Sequence, residues 1–283
     1  MFNDREFILK IIKDQILTVA SDYSDHRKRS KYESAAELFW DSCMTNDGAL
    51  TLGKMKFPDI RWFFGWMTFP CIYADTVLLH QFYNDEYTIE NSNMIENEIS
   101  CEGPYFLDEV IIKKGDVAID AGAYIGDWAA LAAVLGGDVY AFEPSPMCYR
   151  ICQDTAMLNN FQVIKEGLGE TVSEKAINLK FPAGDFVTDT GDIPCHINTI
   201  DNFAESRGIR VDFIKSDIEG FERQLLRGAS RTLLIDEPKL AIRTYHYPDD
   251  PQVLQEIVSK INPRYKFKHT KHTMFATTQR GAL

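Results

Sequence analysis

Cysteine is scarce in this sequence, with six residues in 283, and no two cysteines are spaced as Cys-x-x-Cys. Small disulfide-stabilised domains and zinc ribbons depend on closely spaced pairs, so both classes are excluded. Cys148 and Cys152 stand four residues apart on a predicted helix and could form half of a metal site. Because the sequence offers no second pair, packing inside a buried helix is the simpler interpretation. We expect reduced thiols in a cytoplasmic protein.

Long apolar runs and an apolar leader are also missing. The most apolar stretch, residues 62–74, has 13 residues, lies between Arg61 and Asp75, and contains Pro70. A helix needs roughly 20 apolar residues to cross a bilayer, so we expect no membrane span. The N-terminal residues MFNDREFILK do not combine a basic stretch with an apolar core, and we therefore expect no secretory signal.

Positive charge is in deficit, because 42 acidic residues face 30 basic ones and the formal net charge is −12. Such a chain lacks the long-range attraction to a phosphate backbone, so we expect no nucleic-acid partner. The one dense basic run, His26–Lys31, is typical of a solvated helix end. Nothing in the sequence specifies the oligomeric state, and a homo-oligomer remains open.

The chain changes its pattern near residue 100. Apolar residues recur at helical spacing in the first twenty positions and in 34–44, which predicts a mostly helical extension over residues 1–100. From Gly115 onward short β-rich runs alternate with helices, which predicts an α/β domain over residues 101–283. The last two runs, YKFKHT and HTMFATT, predict an antiparallel hairpin. Parallel strands followed by such a C-terminal hairpin are typical of the Rossmann-like class I methyltransferase sheet.

A glycine turn links the strand VAID to an apolar helix. A dinucleotide fingerprint needs Gly-x-Gly-x-x-Gly, but after Gly122 the second position falls on Tyr124 and the third on Asp127. An acid at the start of the helix would repel a pyrophosphate. Asp120, Gly122 and Gly126 better suit a ligand without phosphates, such as S-adenosyl-L-methionine. The alternative is that the glycines only form a tight strand-to-helix turn.

The next strand ends in AFEP, which places Glu143 at its carboxyl end, followed by Pro144. A carboxylate there can accept hydrogen bonds from both hydroxyls of a ribose, although it would also be favourable at the start of a helix. The third strand, QVIKEGLGE, should end beside an adenine ring, with Glu166, Gly167 and Leu168 as candidates. Strand, turn, helix, strand and acid together predict an adenosine-containing ligand.

Charged residues follow the fourth and fifth strands at one edge of the predicted sheet. Lys215, Asp217 and Glu219 lie in VDFIKSDIEG, and His246 ends KLAIRTYH. A salt bridge between Lys215 and a carboxylate would explain part of this set. For His246 three roles stay open: a general base oriented by a nearby acid, a metal ligand together with Asp217, or a structural residue. One carboxylate and one imidazole are too few to specify an ion, and we predict no metal.

Aromatic residues outside these strands form two further candidates. The segment 62–73 is rich in Trp, Phe and Tyr and could stack on a sugar ring, but the core of a small helical domain explains it better. Tyr105, in CEGPYF, could close over the methionine end of the ligand or pack at the domain junction.

Five segments carry a resemblance to a known family: IDAGAYIGDW, AFEPSP, INTIDNF, IKSDIEGFERQLLRGA and LAIRTYH. The chain resembles the FkbM family of S-adenosylmethionine-dependent methyltransferases over about residues 102–277. DIEG and TYH are the most specific parts. Members of this family often carry Asn where this chain has Tyr124.

The resemblance implies a class I methyltransferase fold and methyl transfer to oxygen, commonly a hydroxyl of a sugar or natural product. It implies that Asp217, Glu219 and His246 lie near the sulfonium and the acceptor, and we predict that they are catalytic. The predicted cofactor-binding residues are Tyr105, Asp120, Gly122, Ala123, Gly126, Asp127, Trp128, Glu143, Pro144, Gly167, Leu168 and Asp217. The alternatives are an N- or carboxyl-directed methyltransferase, an NAD-binding oxidoreductase and a non-catalytic binding module.

Overall fold

The computed structural model describes residues 50–52, 55–58, 105–178, 186–191 and 193–278. The chain divides into two compact units, Met1–Pro104 and Tyr105–Leu283. Every helix and all but two of the strands among the described residues belong to the second unit.

In the first unit the described residues form one antiparallel pair, β1 (Leu50–Leu52) and β2 (Met55–Phe57). The helices predicted over residues 1–20 and 34–44 lie outside the described residues, as does the aromatic segment 62–73. The mostly helical extension therefore stays a prediction.

The second unit is built on a seven-stranded sheet. Its strands are β3 (Val117–Ala121), β4 (Asp138–Phe142), β5 (Gln162–Ile164), β10 (Phe213–Ser216), β11 (Lys239–Arg243), β12 (Lys266–His269) and β13 (Thr273–Thr277). They are ordered β12-β13-β11-β10-β3-β4-β5, with β13 antiparallel to both of its neighbours and the pairs from β11 to β5 parallel. This order confirms the predicted Rossmann-like class I methyltransferase sheet with its C-terminal hairpin.

Helices cover the sheet, and their ends follow the sequence signals. Among the described residues they are α1 (Asp127–Val134), α2 (Pro146–Asn159), α3 (Ile200–Arg207), α4 (Glu222–Arg227), α5 (Ser230–Ile235) and α6 (Asp250–Ile261). Pro146 opens α2, where its missing N–H is not needed, and the Thr199 hydroxyl caps α3 by accepting from Asn202 N. No helix in the described part of the chain is long and apolar enough to cross a membrane.

The chain order reverses beside β3, because β4 lies on one side of it and β10 on the other. In an open α/β sheet, ligands bind outside the carboxyl ends of the strands at such a reversal. Phe142 and Phe213 are fully buried within this part of the sheet, and Phe213 packs on Phe106 and Trp128 with ring centroids 6.0 and 5.5 Å away. The edge is thus supported by a rigid core.

A second, four-stranded sheet was not predicted. It consists of β6 (Gly167–Leu168), β9 (Ile193–Asn198), β7 (Ser173–Asn178) and β8 (Phe186–Thr188), in that order. The predicted third strand, QVIKEGLGE, is therefore divided, because Gln162–Ile164 stays in the main sheet and Gly167–Leu168 joins the small one. A small core of Ile177, Cys195 and Ile197 holds the small sheet together.

Candidate functional site

The carboxyl ends of β3, β10 and β11 meet because these strands are neighbours in the sheet. Lys215 on β10 lies opposite Asp120 on β3 and opposite Ala241 on β11. Its ammonium lies 2.9 Å from the Asp120 carboxylate and donates a hydrogen bond to Gly122 O at 2.8 Å. Both side chains are buried, so Lys215 fixes the glycine turn to the end of β10. The salt bridge considered for Lys215 is present.

The two glycines of the turn are required by packing of the protein itself. Gly122 has φ +74°, and a Cβ atom there would lie 1.8 Å from Asp217 O. Gly126 has φ +83°, and its Cβ would lie 2.8 Å from the Phe161 ring and 3.0 Å from Cys152 Sγ. The alternative considered from the sequence, a tight strand-to-helix turn, therefore explains the glycines without a ligand.

Tyr124, between those glycines, has φ +52°. This left-handed conformation is uncommon for a bulky residue, whereas Asn tolerates it well. The backbone conformation thus favours Asn over Tyr at this position. In this chain a hydrogen bond stabilises the strained conformation, because the Tyr124 N–H donates to the Glu143 carboxylate at 2.8 Å.

Glu143 lies at the end of β4 with both carboxylate oxygens in use. One oxygen accepts from Tyr124 N and the other from Ser145 N, each at 2.8 Å. An ionised carboxylate can accept about four hydrogen bonds, so each oxygen retains acceptor capacity. Burial raises the pKa of Glu143 to about 7, and the two N–H donors and Lys215 offset burial only in part.

Negative charge accumulates around the glycine turn. Burial raises the pKa of Asp120 to about 6, although its partner Lys215 acts in the opposite direction. Burial also raises the pKa of Asp127, at the start of α1. Asp120, Asp127 and Glu143 therefore share one buried cation, the Lys215 ammonium. This excess of negative charge favours a positively charged ligand over a pyrophosphate.

Asp217 follows β10 and gathers four side chains. Its carboxylate accepts from the Tyr105 hydroxyl at 2.8 Å and from the Tyr245 hydroxyl at 3.2 Å. Arg243 Nε lies 3.5 Å away and His246 Nε2 lies 3.6 Å away. Burial favours a higher pKa for Asp217, but Arg243, Lys215 and His246 outweigh burial and hold the pKa below its usual range. Asp217 is therefore ionised at neutral pH.

His246 follows β11 and faces three carboxylates. Its Nε2 lies 3.6 Å from both Asp217 and Glu219, and its Nδ1 lies 3.3 Å from Glu222. Burial alone would lower the pKa of His246, but Glu219, Glu222 and Asp217 outweigh burial and raise it to about 10. The imidazole thus holds a proton at neutral pH in this arrangement. It can serve as a base only after that proton is removed.

Glu222 and Arg243 were not predicted as site residues. Glu222 opens α4, and acids are ordinary in the first turn of a helix, so the segment DIEGFE did not distinguish it. Its Oε1 accepts from Ile218 N at 2.9 Å. Arg243 is wholly buried and also donates to the Thr273 hydroxyl at 2.9 Å. Glu222 and Arg243 stand out as site residues because they are charged and buried. Burial cannot be read from a single sequence.

Glu219 also shows local strain, because its φ is +55° and the φ of the next residue, Gly220, is +96°. Non-glycine residues rarely adopt this conformation, and such strain concentrates at functional sites. The turn directs the half-exposed Glu219 carboxylate towards His246. The structure thus brings all three predicted catalytic residues together.

Several predicted cofactor-binding residues are buried in the protein core. Trp128 packs on Phe106 and Phe213, Leu168 belongs to the main core cluster, and a Cβ atom on Gly167 would lie 2.7 Å from Ile197. Ala123 is buried as well, while Pro144 is half-buried. Their roles in binding stay predictions. Tyr105 contacts Asp217, and its ring lies 4.7 Å from the Arg243 guanidinium carbon.

The family model for the methyltransferase FkbM domain matches residues 120–269, which is more than half of the chain. The sequence matches none of the curated proteins it was compared with.

Several solved structures are similar to this chain. The crystal structure of a methyltransferase FkbM from Methylobacillus flagellatus KT is 19% identical over 92% of this chain, with a TM-score of 0.47, and the match spans 57% of that chain. A putative rRNA-methylase from Clostridium thermocellum is 10% identical over 59% of this chain and 88% of its own, with a TM-score of 0.39. The fibrillarin of Aeropyrum pernix, crystallised with natively bound S-adenosyl-L-methionine, is 16% identical over 63% of this chain and 70% of its own, with a TM-score of 0.36.

The family match begins at Asp120 in the glycine turn and ends at His269 at the close of β12. It includes Glu143 and the Asp217–His246 cluster, which carry the geometry described above. The resemblance predicted from the five segments is thereby confirmed, and the chain belongs to the FkbM methyltransferase domain family.

Proposed function

We propose that this chain binds S-adenosyl-L-methionine and transfers its methyl group to a hydroxyl oxygen of a small acceptor, such as a sugar or natural product. The observation that carries the proposal is Glu143, whose two oxygens each keep acceptor capacity at the end of β4. Adjacent ribose hydroxyls can donate to both oxygens at once. Membership in the FkbM family supports the same assignment.

The charges around the glycine turn fit this cofactor. Its sulfonium and ammonium are positive, and the turn places Asp120 and Asp127 near Glu143 with Lys215 as their buried cation. A nicotinamide dinucleotide would bring a pyrophosphate to an acidic helix start, which is unfavourable. The oxidoreductase alternative is therefore the weaker one.

When bound, the cofactor supplies an electrophilic methyl group, and the protein positions the acceptor. An in-line displacement needs the acceptor oxygen within about 3 Å of the methyl carbon and water excluded. Asp217, ionised and fixed by Tyr105 and Arg243, can accept the hydroxyl proton in a hydrogen bond and orient the oxygen. His246 lies beside it, and its role as base stays a prediction.

An amine-directed reaction is the nearest rival, and one observation favours it. An amine acceptor needs less help from a base, and His246 holds a proton in this arrangement. Asp217, Glu219 and Glu222 could then accept hydrogen bonds from the N–H groups of a neutral amine. The hydroxyl assignment is preferred because of the family resemblance, and product chemistry distinguishes the two.

Calorimetric titration of the purified chain tests the cofactor. We expect micromolar binding of S-adenosyl-L-methionine and S-adenosylhomocysteine and no binding of NAD⁺. Glu143→Ala should weaken both adenosyl ligands at least tenfold, because hydrogen bonds to a charged group are worth about 1.5–3 kcal/mol each. Glu256→Ala, at a half-exposed acid on α6, is the matched control and should leave affinity unchanged. Binding of NAD⁺ instead, or of none of the three, would overturn the assignment.

The acceptor class is tested with methyl-labelled cofactor and matched panels of hydroxyl and amine compounds. Label recovered as a methyl ether supports the proposal. Label recovered only in N-methyl products would replace it with the amine-directed reaction.

Cofactor affinity should also depend on pH. Glu143, with a pKa of about 7, faces Asp120 and Lys215, and ribose hydroxyls favour its ionised form. Binding should therefore release a proton, and S-adenosylhomocysteine affinity should rise about tenfold from pH 6 to pH 8. Titrations in two buffers of different ionisation enthalpy measure that release. Affinity that is flat or falls over this range would contradict the assignment of Glu143.

A further inference from the structure

Three side chains that can ligate a metal meet at the carboxyl end of the main sheet. Asp217 follows β10, Glu222 opens α4 and His246 follows β11. One ligand atom from each lies within 4.8 Å of the other two. Neighbouring ligand atoms of one ion bound at about 2.1 Å are roughly 3–3.5 Å apart, so side-chain movements of about an ångström suffice. We propose that Asp217, Glu222 and His246 bind one divalent metal ion.

Buried polar atoms without hydrogen bonds point independently to a bound group. Within the described residues, Glu222 Oε2 and both ring nitrogens of His246 are buried and make no hydrogen bond. The Glu222 side chain is 1% exposed and that of His246 is 9% exposed. A buried polar atom without a hydrogen bond is unfavourable, and a metal ion bound by Glu222 and one ring nitrogen of His246 would satisfy part of this set.

The charges of the cluster match a divalent cation. Asp217, Glu219 and Glu222 are three carboxylates, whereas Arg243 is a permanent cation at the cluster and Lys215 is paired with Asp120. While His246 is protonated, one negative charge is left without a cation, and when His246 is neutral, as a metal ligand must be, two are left. Buried charge is expensive unless it is paired or coordinates a metal.

Arg243 leaves one side of Asp217 accessible to an ion. The guanidinium lies at Asp217 Oδ2, 3.5 Å away, whereas Oδ1 faces His246 at 3.6 Å. An ion bound through Oδ1, which also accepts from the Tyr245 hydroxyl at 3.2 Å, is therefore at the other oxygen of the carboxylate from the arginine. The half-exposed Glu219 lies at the His246 ring and can bind directly or through water.

The donor set indicates the kind of ion. Two carboxylates and one imidazole suit Mn²⁺, Fe²⁺ or Zn²⁺ better than Ca²⁺. Three protein ligands leave positions open, as in catalytic metal sites. A divalent ion there can lower the pKa of an acceptor hydroxyl and so activate it for methyl transfer. That use of the ion rests on the proposed function, whereas ion binding itself does not.

Binding of Mn²⁺ to the full chain tests the site. Protein freed of metal with a chelator and desalted is titrated with Mn²⁺, and free Mn²⁺ is measured by electron paramagnetic resonance. We expect one ion per chain, and at least tenfold weaker binding in Glu222→Gln. This substitution keeps Oε1 as the acceptor for the Ile218 N–H. Glu174→Gln is the matched control, because the exposed Glu174 lies 2.6 Å from His196 outside the site.

A second variant and a second ligand separate the outcomes. His246→Gln should weaken Mn²⁺ binding by a similar factor, and melting curves of all variants show whether they fold. Absence of stoichiometric binding to the unaltered chain, or binding that Glu222→Gln and His246→Gln weaken no more than Glu174→Gln does, would overturn the site. Titration of the same samples with S-adenosylhomocysteine reports the cofactor assignment separately, since Glu143 lies outside the cluster.

Discussion

Lys215→Met should lower the free energy of unfolding by about 3–5 kcal/mol, which is typical when one partner of a buried ion pair is removed. The ammonium lies 2.9 Å from Asp120, and the two side chains are 5% and 0% exposed. Methionine fills most of the same volume but leaves the Asp120 carboxylate without its cation. It also removes the hydrogen bond to Gly122 O, and so frees the turn from β10.

The loss should be larger at pH 8 than at pH 5. The pKa of Asp120 is already raised to about 6, and removing Lys215 raises it further. A carboxyl whose folded pKa is above its unfolded value costs stability as pH rises between the two, since the folded state must give up the proton. At pH 5 the variant can keep Asp120 neutral, and this relieves part of the cost.

Urea unfolding at both pH values, followed by circular dichroism, measures the effect. Lys260→Met is the control, because Lys260 is 79% exposed and lies 3.8 Å from Glu256 on the same helix. Such a surface pair is worth roughly 0–1 kcal/mol. If Lys215→Met behaved like Lys260→Met, the buried pair would not be what fixes the turn.

The main sheet could be predicted because the local sequence pattern identifies each of its strands. Val117–Ala121 and Phe213–Ser216 are short apolar runs with one charged residue next to the last position, and glycines separate them from helices. The small sheet was missed because Ser173–Asn178 and Ile193–Asn198 bury few apolar side chains and alternate weakly. These two strands pair with each other through contacts between distant parts of the chain, and no local sequence pattern specifies that pairing.

The site was predictable in outline for a similar reason. Parallel strands place their carboxyl ends at one edge, so Asp217, Glu219 and His246 could be assigned to the same region. The partners of these residues could not be assigned. That Lys215 pairs with Asp120 depends on the register of β3 and β10, and the burial of Glu222 and Arg243 depends on packing around them. The electrostatics of His246 follow from those partners and so could not be predicted from the sequence.

Gly122→Ala should destabilise the chain by roughly 3–5 kcal/mol, placing it among the most damaging single substitutions. A Cβ atom at this position would lie 1.8 Å from Asp217 O and 2.9 Å from Asp217 C, and these are backbone atoms that have no rotamer to change. The ends of β3 and β10 would have to separate. Separation weakens the hydrogen bond from Asp217 N to Ala121 O, now 3.0 Å long.

Gly208→Ala separates this clash from the cost of backbone conformation. Gly208 has φ +62°, close to the +74° of Gly122, but a Cβ atom at Gly208 would meet nothing within 4 Å. It should therefore cost only the conformational term, about 1–2 kcal/mol. Urea unfolding of both variants measures how much more unfolding free energy Gly122→Ala loses than Gly208→Ala. That difference is the cost of the clash between the new Cβ atom and the Asp217 backbone.

Equal losses in the two variants would contradict the close packing of the glycine turn against Asp217. The expected excess has a functional consequence in the proposed reaction, because Gly122 N donates to Phe142 O, next to Glu143, while Asp217 belongs to the predicted catalytic cluster. A shift of either strand end displaces the predicted cofactor site relative to the acceptor site. Folded Gly122→Ala protein should accordingly lose transfer activity more than it loses S-adenosylhomocysteine affinity, since alignment of the two reactants tolerates little displacement.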